Sequence, residues 1–537
     1  RPESRAFLRA IPTLVRVRIG PPGSHWISLS EEFPEDRLPE DADSWRLTVV
    51  MTEPMHLREP ERRFIRLGKS GPSTECTFRF TPGAAPTFEG RITVLHRGRV
   101  LQTAVLKAVV VGGEDEIPAE ASVQLTDFIQ VRRDMGDLDE RRQFDLALVL
   151  NHTTDDRPRL QAVSSRHAWI ADISECRAVA SDINDALSKV AKSVKDYSGD
   201  LDSPRNRALL VELAQYGRML HGMIVEDQLR APTNRAEIAE MEYIQIVSAR
   251  SDALVPFEFI YEHETPDEDA LICPRWRTAL DDGRCFETCD TSTGRTVCPL
   301  GFWGVSKVIE RHVYTPEFAE GGREIFLQSE CAGGRDRLDV SGTAVIAASR
   351  RVDEESLQPI VAALKHNLGS PPQRAMDWAQ WASLVQEHRP NLLIALPHTD
   401  GNGAKATLEI GGKTLKSIQI KETHVRAPAS AHAPIAALLG CDTTGTALEY
   451  GSHTAVFRRK GAAVVIGTIA TVFGGHAARV AQHLVQGLKP AKDGGRPRRI
   501  GEVLRSIKRK ALNGGLLMAL CVVAFGDADW RLDGEES

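Results

Sequence analysis

Two reactive side chains stand at the ends of apolar runs. Asn391 to Pro397 (NLLIALP) leads into His398-Thr399-Asp400-Gly401, and Ile435 to Gly440 (IAALLG) leads into Cys441-Asp442-Thr443-Thr444-Gly445. A thiol attacks as its thiolate, so an imidazole that takes its proton turns an inert Cys into a nucleophile. The same imidazole can then protonate a leaving amine. Each residue alone has a plainer reading. Cysteine is among the most buried residue types, and a His at a strand end is commonly a satisfied polar group. On spacing alone, a Cys441–His398 dyad and a pair of structural residues both stand. Asp400 and Asp442 flank the pair. They could receive a basic substrate side chain, or cap turns as Asp beside Gly and Thr does.

A second constellation is Cys273, Cys285, Cys289 and Cys298, four of the nine cysteines, spaced C-x11-C-x3-C-x8-C amid Pro274, Gly283, Gly294 and Pro299. Four thiolates from one loop can close a tetrahedral zinc site and order a segment with no core of its own. The spacing lacks C-x2-C pairs, so free thiols and disulfides are the alternatives. His424, His432, His453, His476 and His483 crowd the same part of the chain, and His453 is the main rival base. Arg496 to Lys510 (RPRRIGEVLRSIKRK) reads as the solvated face of a late helix rather than a nucleic-acid contact. Cys521, inside LLMALCVVAF, reads as core. No phosphate-binding loop is present, and Gly401-Asn402-Gly403 lacks the third glycine of a dinucleotide fingerprint.

These residues need elements to hold them. Trp45, Leu47, Val49 and Met51 alternate with Arg46, Thr48 and Val50, and Ile92 to Val111 reads as a hairpin turning at His96-Arg97-Gly98-Arg99. Residues 1–113 are therefore expected to form a β-sandwich, of immunoglobulin-like type as one option. Residues 114–240 are expected to be a helical connector. Its apolar stripes are Cys176, Val179, Ile183, Leu187, Val190, Val194 and Tyr197, then Leu209, Leu213, Tyr216, Leu220 and Ile224, with Ser203-Pro204 as an N-cap and N1 pair. From residue 241 to 537 apolar runs of strand length (YIQIVS, TAVIAAS, NLLIALP, IAALLG, AAVVIGTIATVF) alternate with helical stretches. That pattern predicts an α/β half with a mostly parallel sheet and helices on both faces. Ligands and active residues then gather beyond the carboxyl ends of the strands.

Composition narrows the class. With 67 Lys+Arg against 73 Asp+Glu, the net charge of −6 argues against a protein that coats nucleic acid or anionic membrane. The most apolar run, Leu516 to Phe525, has ten residues, half of the ~20 that a spanning helix needs. Nine cysteines are too few for a disulfide scaffold, and a reducing, cytoplasmic setting is the simpler expectation.

The surrounding motifs go further. Leu438-Leu439-Gly440-Cys441-Asp442-Thr443 is similar to an L-x-A-C-x-T segment; Glu449, Ala455 to Lys460 and Gly461 to Gly467 follow it as an acidic residue, a helix and a Gly-Ala strand. Upstream, Asp252-Ala253-Leu254-Val255-Pro256-Phe257-Glu258 is similar to a strand followed by L-P-W-E, and Phe525 to Trp530 (FGDADW) to a closing segment. In this order, over Met241 to Gly534, the motifs resemble the CHAT family of caspase-like cysteine peptidases, relatives of caspases and separases.

That resemblance implies a cysteine endopeptidase working through an acyl-enzyme, with Cys441 as nucleophile and His398 as general base and acid. The backbone N–H of Cys441 and one from the turn after His398 would form the oxyanion hole. No catalytic cofactor is implied. Relatives of this kind are dormant effectors switched on by a partner or ligand. Bacterial ones are linked to antiviral defence and cell death, sometimes by cutting a gasdermin-like pore former. One departure matters: the family commonly has Gly directly after the His, and this chain has Thr399. The alternatives are a catalytically inactive CHAT-like interaction scaffold and an unrelated α/β enzyme with a structural Cys441.

Overall fold

The computed structural model describes residues 4–21, 26–27, 38, 42–57, 59–131, 135–136, 138–152, 157–229, 232–248, 255–285, 289–313, 324–326, 337–400, 406–428, 433–440, 450–469, 474–489, 492–493 and 496–533. The chain forms two compact units. The first holds residues 1–172, 243–250 and 316–328, and the second residues 173–242, 251–315 and 329–537.

The first unit is built of strands. One sheet runs in the order Glu324–Phe326, Gln124–Gln130, Arg99–Val111, Thr87–His96, Ser44–Thr52, Glu61–Gly68, with Phe7–Leu8 beside Arg99–Val111. A two-stranded ladder, Thr13–Val17 with Cys76–Phe80, lends Val15, Val17, Cys76, Phe78 and Phe80 to the core that also holds Trp45, Leu47, Val49 and Met51. The expected hairpin turns on Arg97 and Gly98, both at positive φ (48° and 73°), as a tight two-residue turn requires. A Cβ at position 98 would lie 2.1 Å from the Phe144 carbonyl oxygen, so only glycine fits.

The expectation of helix from residue 114 fails before Cys176. Gln124–Gln130, Leu146–His152, Pro158–Ser164 and Ala168–Asp172 are strands, and Tyr243–Ser248 joins them in parallel beside Leu146–His152. Leu146 to Leu150 are buried without a break. A short, continuous apolar run of this kind suits a strand covered on both faces better than a helix with one wet side.

The second unit opens with α1 (Cys176–Lys192) and α2 (Pro204–His221, proline at its first position). Val179, Ile183, Leu187 and Val190 form the buried stripe of α1. Past α3 (Trp276–Asp282) comes a mixed sheet. Its strands are β1 (Val308–Val313), β2 (Ala344–Ala348), β3 (Gln373–Ala375), β4 (Leu392–Leu396), β8 (Ile435–Leu438), β9 (Val464–Thr468) and β10 (Val522–Gly526), ordered β1-β10-β9-β8-β4-β2-β3. β3, β2, β4, β8 and β9 are mutually parallel; β10 runs against both its neighbours. A hairpin unit of β5 (His398–Asp400), β6 (Thr407–Ile410) and β7 (Lys413–Lys416) stands after β4.

Helices α5 (Trp378–His388) and α6 (Tyr450–Arg459) share a core with Val345, Ala347, Leu393, Ala395, Ala436 and Leu438 of the sheet. Strand alternation turns Ile346, Ile394, Ala437 and Ile466 to the opposite face. There α7 (Gly474–Gly487) packs between α4 (Glu354–Leu368) and α8 (Ile500–Asn513) and also meets β4. The predicted α/β layering is therefore present in this unit. Asp353 and Asp377 cap α4 and α5 by accepting from the N–H of Ser356 and Gln380, a contact worth about 1 kcal/mol each.

Two of the motif segments prove to be struts. Glu258, at the end of Val255-Pro256-Phe257-Glu258, takes both Arg311 donors of β1 at 2.8 and 2.5 Å, and Arg311 also donates to the Val255 carbonyl. Burial alone would raise the Glu258 pKa, but the adjacent Arg311 charge and hydrogen bonds bring it below the usual value. In FGDADW, Asp529 pairs with Arg499 at 2.5 Å, and the Ala528 N–H donates to Glu310. Cys521 is fully buried, as expected. The basic helix departs from its expected solvated face: Lys508 is buried with its pKa lowered to about 8 by desolvation, and Arg505 and Arg509 donate to the carbonyls of Ser306 and Val305. Among the described residues no helix is long and apolar enough to cross a membrane.

Candidate functional site

The candidate site begins where neighbouring parallel strands stop. Ala395 of β4 stands opposite Leu438 of β8, and the Leu439 N–H donates to the Ala395 carbonyl at 3.0 Å. On the other side Ala348 of β2 faces Leu396, and the Ser349 N–H donates to Leu396 at 2.8 Å. Leu438 also faces Gly467 of β9. β2, β4, β8 and β9 thus end at one level, the place where the chain leaves a parallel sheet and loops can converge on a ligand.

Gly440 is held tightly there. A Cβ added to it would come within 2.9 Å of the Pro397 carbonyl oxygen and 3.3 Å of Thr399 Oγ1. The two residues that flank His398 therefore touch the residue before Cys441. Cys441 and Asp442 themselves, with Glu449, lie outside the described residues, as do residues 401–405.

His398 opens β5 rather than sitting in an open turn. The expected turn after it is a strand, with Thr399 buried and Asp400 exposed at its end. The sequence downstream explains this. Thr407-Leu408-Glu409-Ile410 and Lys413-Thr414-Leu415-Lys416 alternate around Gly411-Gly412, whose φ values of 55° and 86° make a hairpin turn. Leu408, Ile410 and Leu415 drop into the α5 core, which leaves β6 an edge for residues 398–400. α5 locks this hairpin: Trp378 Nε1 donates to the Leu408 carbonyl and Trp381 Nε1 to that of His424, both at 2.8 Å.

Glu409 lies directly across the ladder from His398, which puts their Cβ atoms about 5 Å apart on one face. Its carboxylate accepts from the Ser349 hydroxyl and the Gly412 N–H. Neither Glu409 nor Ser349 stood out as a site residue. The signal for Glu409 was the Gly411-Gly412 hairpin, which pairs it with His398. Ser349 shows only as the residue ending TAVIAAS.

Two of the rival imidazoles, His453 and His476, are poor bases near neutral pH. Burial pushes His453 of α6 and His476 of α7 down to about 4, and lowers His424 and His483 as well. An effective general base near neutrality needs a pKa close to the working pH. His432 lies outside the described residues.

The four loop cysteines do come together. Cys273 follows Leu271–Ile272, Cys298 follows Thr296–Val297, and these two short strands pair in parallel with the Cys273 N–H on the Val297 carbonyl at 2.9 Å. α3 ends at Gly283 in a left-handed turn (φ 71°), which sends the chain back to Cys285. With Cys289, the four Sγ atoms all lie within 4.8 Å of one another; Cys285 is 4.0 Å from Cys273 and 3.5 Å from Cys298.

No family model and no curated protein matches the chain. Solved structures to which the chain shows some similarity include the Arg specific cysteine proteinase gingipain R (RGPB), 9% identical with a TM-score of 0.30, over 65% of this chain and 75% of that one. The Saccharomyces cerevisiae separase–securin complex matches at 7% identity and a TM-score of 0.33, over 73% of this chain and 30% of that one. The complex of Porphyromonas gingivalis RgpB pro- and mature domains matches at 10% and 0.31, over 66% and 78%. These neighbours are cysteine proteases of the caspase clan, at low identity.

Proposed function

We propose that the second unit is a caspase-like cysteine endopeptidase of the CHAT type. In this reading Cys441 attacks the scissile carbonyl, His398 takes the thiol proton, and the same imidazole returns it to the leaving amine. Water then hydrolyses the acyl-enzyme. The Cys441 N–H is one oxyanion donor. Asp400 and Asp442 are the acidic groups that would meet a basic residue beside the scissile bond. The strand-built first unit recruits or regulates. The whole is a cytoplasmic effector in bacterial defence or cell death, dormant until a partner or ligand engages it, and its substrate is a protein such as a gasdermin-like pore former.

The observation that carries this reading is the packing of Gly440 on Pro397 and Thr399. With Leu438 opposite Ala395, three further residues along each strand reach Cys441 and His398. A nucleophile and its base must approach within a hydrogen bond, and adjacent parallel strands ending in register are one way to bring them there. The lowering of His453 to about 4 by burial favours His398 over it as the base in this reading.

The test uses the full chain with protein substrates encoded beside its gene, together with a thiol-reactive peptide probe. Cleavage and labelling are expected from the native protein, with losses of about 10³-fold or more in Cys441→Ala and His398→Ala. Cleavage that survives both substitutions would sink the dyad, and so would probe labelling that persists in Cys441→Ala. A second reading is an inactive interaction scaffold. It draws on Thr399, which stands where the family has Gly and pairs with Leu408 in the ladder. Partner capture unchanged by Cys441→Ala, with no cleavage of any substrate, would favour it.

A further inference from the structure

We propose that Cys273, Cys285, Cys289 and Cys298 bind one zinc ion as a closed tetrathiolate site. A regular tetrahedron with Zn–S bonds of about 2.3 Å has edges of about 3.8 Å between sulfurs. Two of the six edges, 3.5 and 4.0 Å, bracket that value, and no pair exceeds 4.8 Å. A disulfide needs its sulfurs at about 2.05 Å, so the arrangement fits four separate ligands around one centre and not two bonded pairs. Sulfur-only tetrahedral donors select zinc or an iron–sulfur centre among biological metals, and exclude magnesium and calcium, which take oxygen. Four protein ligands leave no position for water or substrate, so the ion is structural.

The protein around the cluster is built to aim it. Two of the thiols leave the paired strands Leu271–Ile272 and Thr296–Val297, a third leaves the left-handed end of α3, and Cys273 and Cys298 are buried. The Tyr261 hydroxyl accepts the Cys298 N–H at 3.0 Å, fixing that ligand's backbone. Among its described residues, the segment between Cys273 and Cys298 holds a seven-residue helix and the two-residue strand Thr296–Val297, so it has little apolar mass of its own. It nevertheless reaches α8: Arg277 donates to the Asn513 carbonyl at 2.9 Å, and Asn513 donates to Asp281 at 2.7 Å. Binding is not a redox step. Zinc(II) replaces four thiol protons, forming a dianionic tetrathiolate and releasing four H⁺ to solvent, with no change of oxidation state.

Elemental analysis of the full-length protein, purified under reducing conditions without added metal, is expected to find one zinc per chain. Cys273→Ser and Cys298→Ser should each lose it, whereas Cys76→Ser and Cys176→Ser should keep it. A serine variant that fails to fold is covered by a second measurement on the native chain. Titration with a thiol-specific mercurial should release the zinc into a chromogenic chelator as these thiols react, and cobalt(II) exchanged into the site should show tetrahedral d–d and thiolate charge-transfer bands. Stoichiometric iron in place of zinc, peptide mapping that finds disulfides among the four, or a metal-free chain with an unchanged melting temperature would each overturn the proposal. Zinc content in Cys441→Ala separates this result from the peptidase reading, since the ion should remain whatever becomes of cleavage.

Discussion

At the scale of single residues, the candidate site depends on what small side chains permit. Gly440 carries no chemistry, yet it sets how near the chain leaving Ile435–Leu438 comes to Pro397 and Thr399. An alanine there would press its methyl against the Pro397 carbonyl, a contact with backbone that no rotamer change relieves. Forcing atoms into such a contact typically costs about 1–3 kcal/mol, and a 1 Å misplacement of reacting groups can cost about 100-fold in rate. On the proposed peptidase reading, Gly440→Ala is therefore expected to fold with a slightly lowered melting temperature and to lose substrate cleavage by about 10-fold or more. Turnover equal to that of the native chain would show that the strand ends are not the determinant of the site. Sequence legibility was uneven at this scale. His398 announced itself by ending an apolar run, and the four cysteines by their density. Glu409 did not, because a carboxylate in an alternating strand looks like any solvated residue until its cross-strand partner is known.

At the scale of elements, buried imidazoles give the second unit a built-in acid sensitivity. His453 lies 6% exposed in α6, and burial lowers its pKa from 6.5 to about 4. Between those values the unfolded chain binds a proton that the folded chain refuses, so stability falls as pH drops through that window. Above pH 6.5 this contribution is fully present, and below about pH 4 both states are protonated and the loss is complete. That lowering corresponds to about 3 kcal/mol. Urea titrations from pH 7 to 4 should show the decline, and His453→Gln should remove a part of it. An unchanged slope in that variant would mean His453 is not buried in solution. The elements themselves were largely readable where apolar period and caps coincided: Asp353, Asp377 and Ser203-Pro204 each precede a helix. Leu146 to Leu150 misled, because the run is followed by the strong helical stripe from Cys176 and its parallel partner, Tyr243–Ser248, comes far later in the chain. Lys508 misled for a related reason: its neighbours Glu258, Arg311 and Cys521 come from three distant segments.

At the scale of the whole molecule, the two units are interleaved along the chain. Tyr243–Ser248 belongs to the first unit, although residues 173–242 before it and 251–315 after it belong to the second. No contiguous stretch therefore equals either unit. A chain truncated to residues 241–537 would keep the catalytic candidates but lose α1 and α2, and Gly217 of α2 packs so closely that an added Cβ would lie 2.0 Å from the Phe259 carbonyl oxygen. It would also carry Tyr243–Ser248 without Leu146–His152, an exposed and largely apolar strand edge of the kind that promotes aggregation. That truncated chain is expected to be insoluble or unfolded by circular dichroism. A soluble, cooperatively melting product would show that α1 and α2 are dispensable. The net charge of −6 and the alternation of strand and helix gave the class of the molecule, but an interleaved boundary leaves no compositional mark, since both sides of each crossing are ordinary globular sequence.

The late return of Tyr243–Ser248 has a consequence for biosynthesis. The hairpin of Leu146–His152 and Pro158–Ser164 leaves the ribosome before its parallel neighbour has been made. About 90 residues must still be translated, which takes roughly 5–20 s at about 5–20 residues per second. For that interval the edge of Leu146–His152 has no strand to meet, and an apolar ladder is open to any passing chain. A nascent protein in this position needs either a chaperone over that edge or slow pairing elsewhere, and its yield should depend on translation speed between residues 153 and 242.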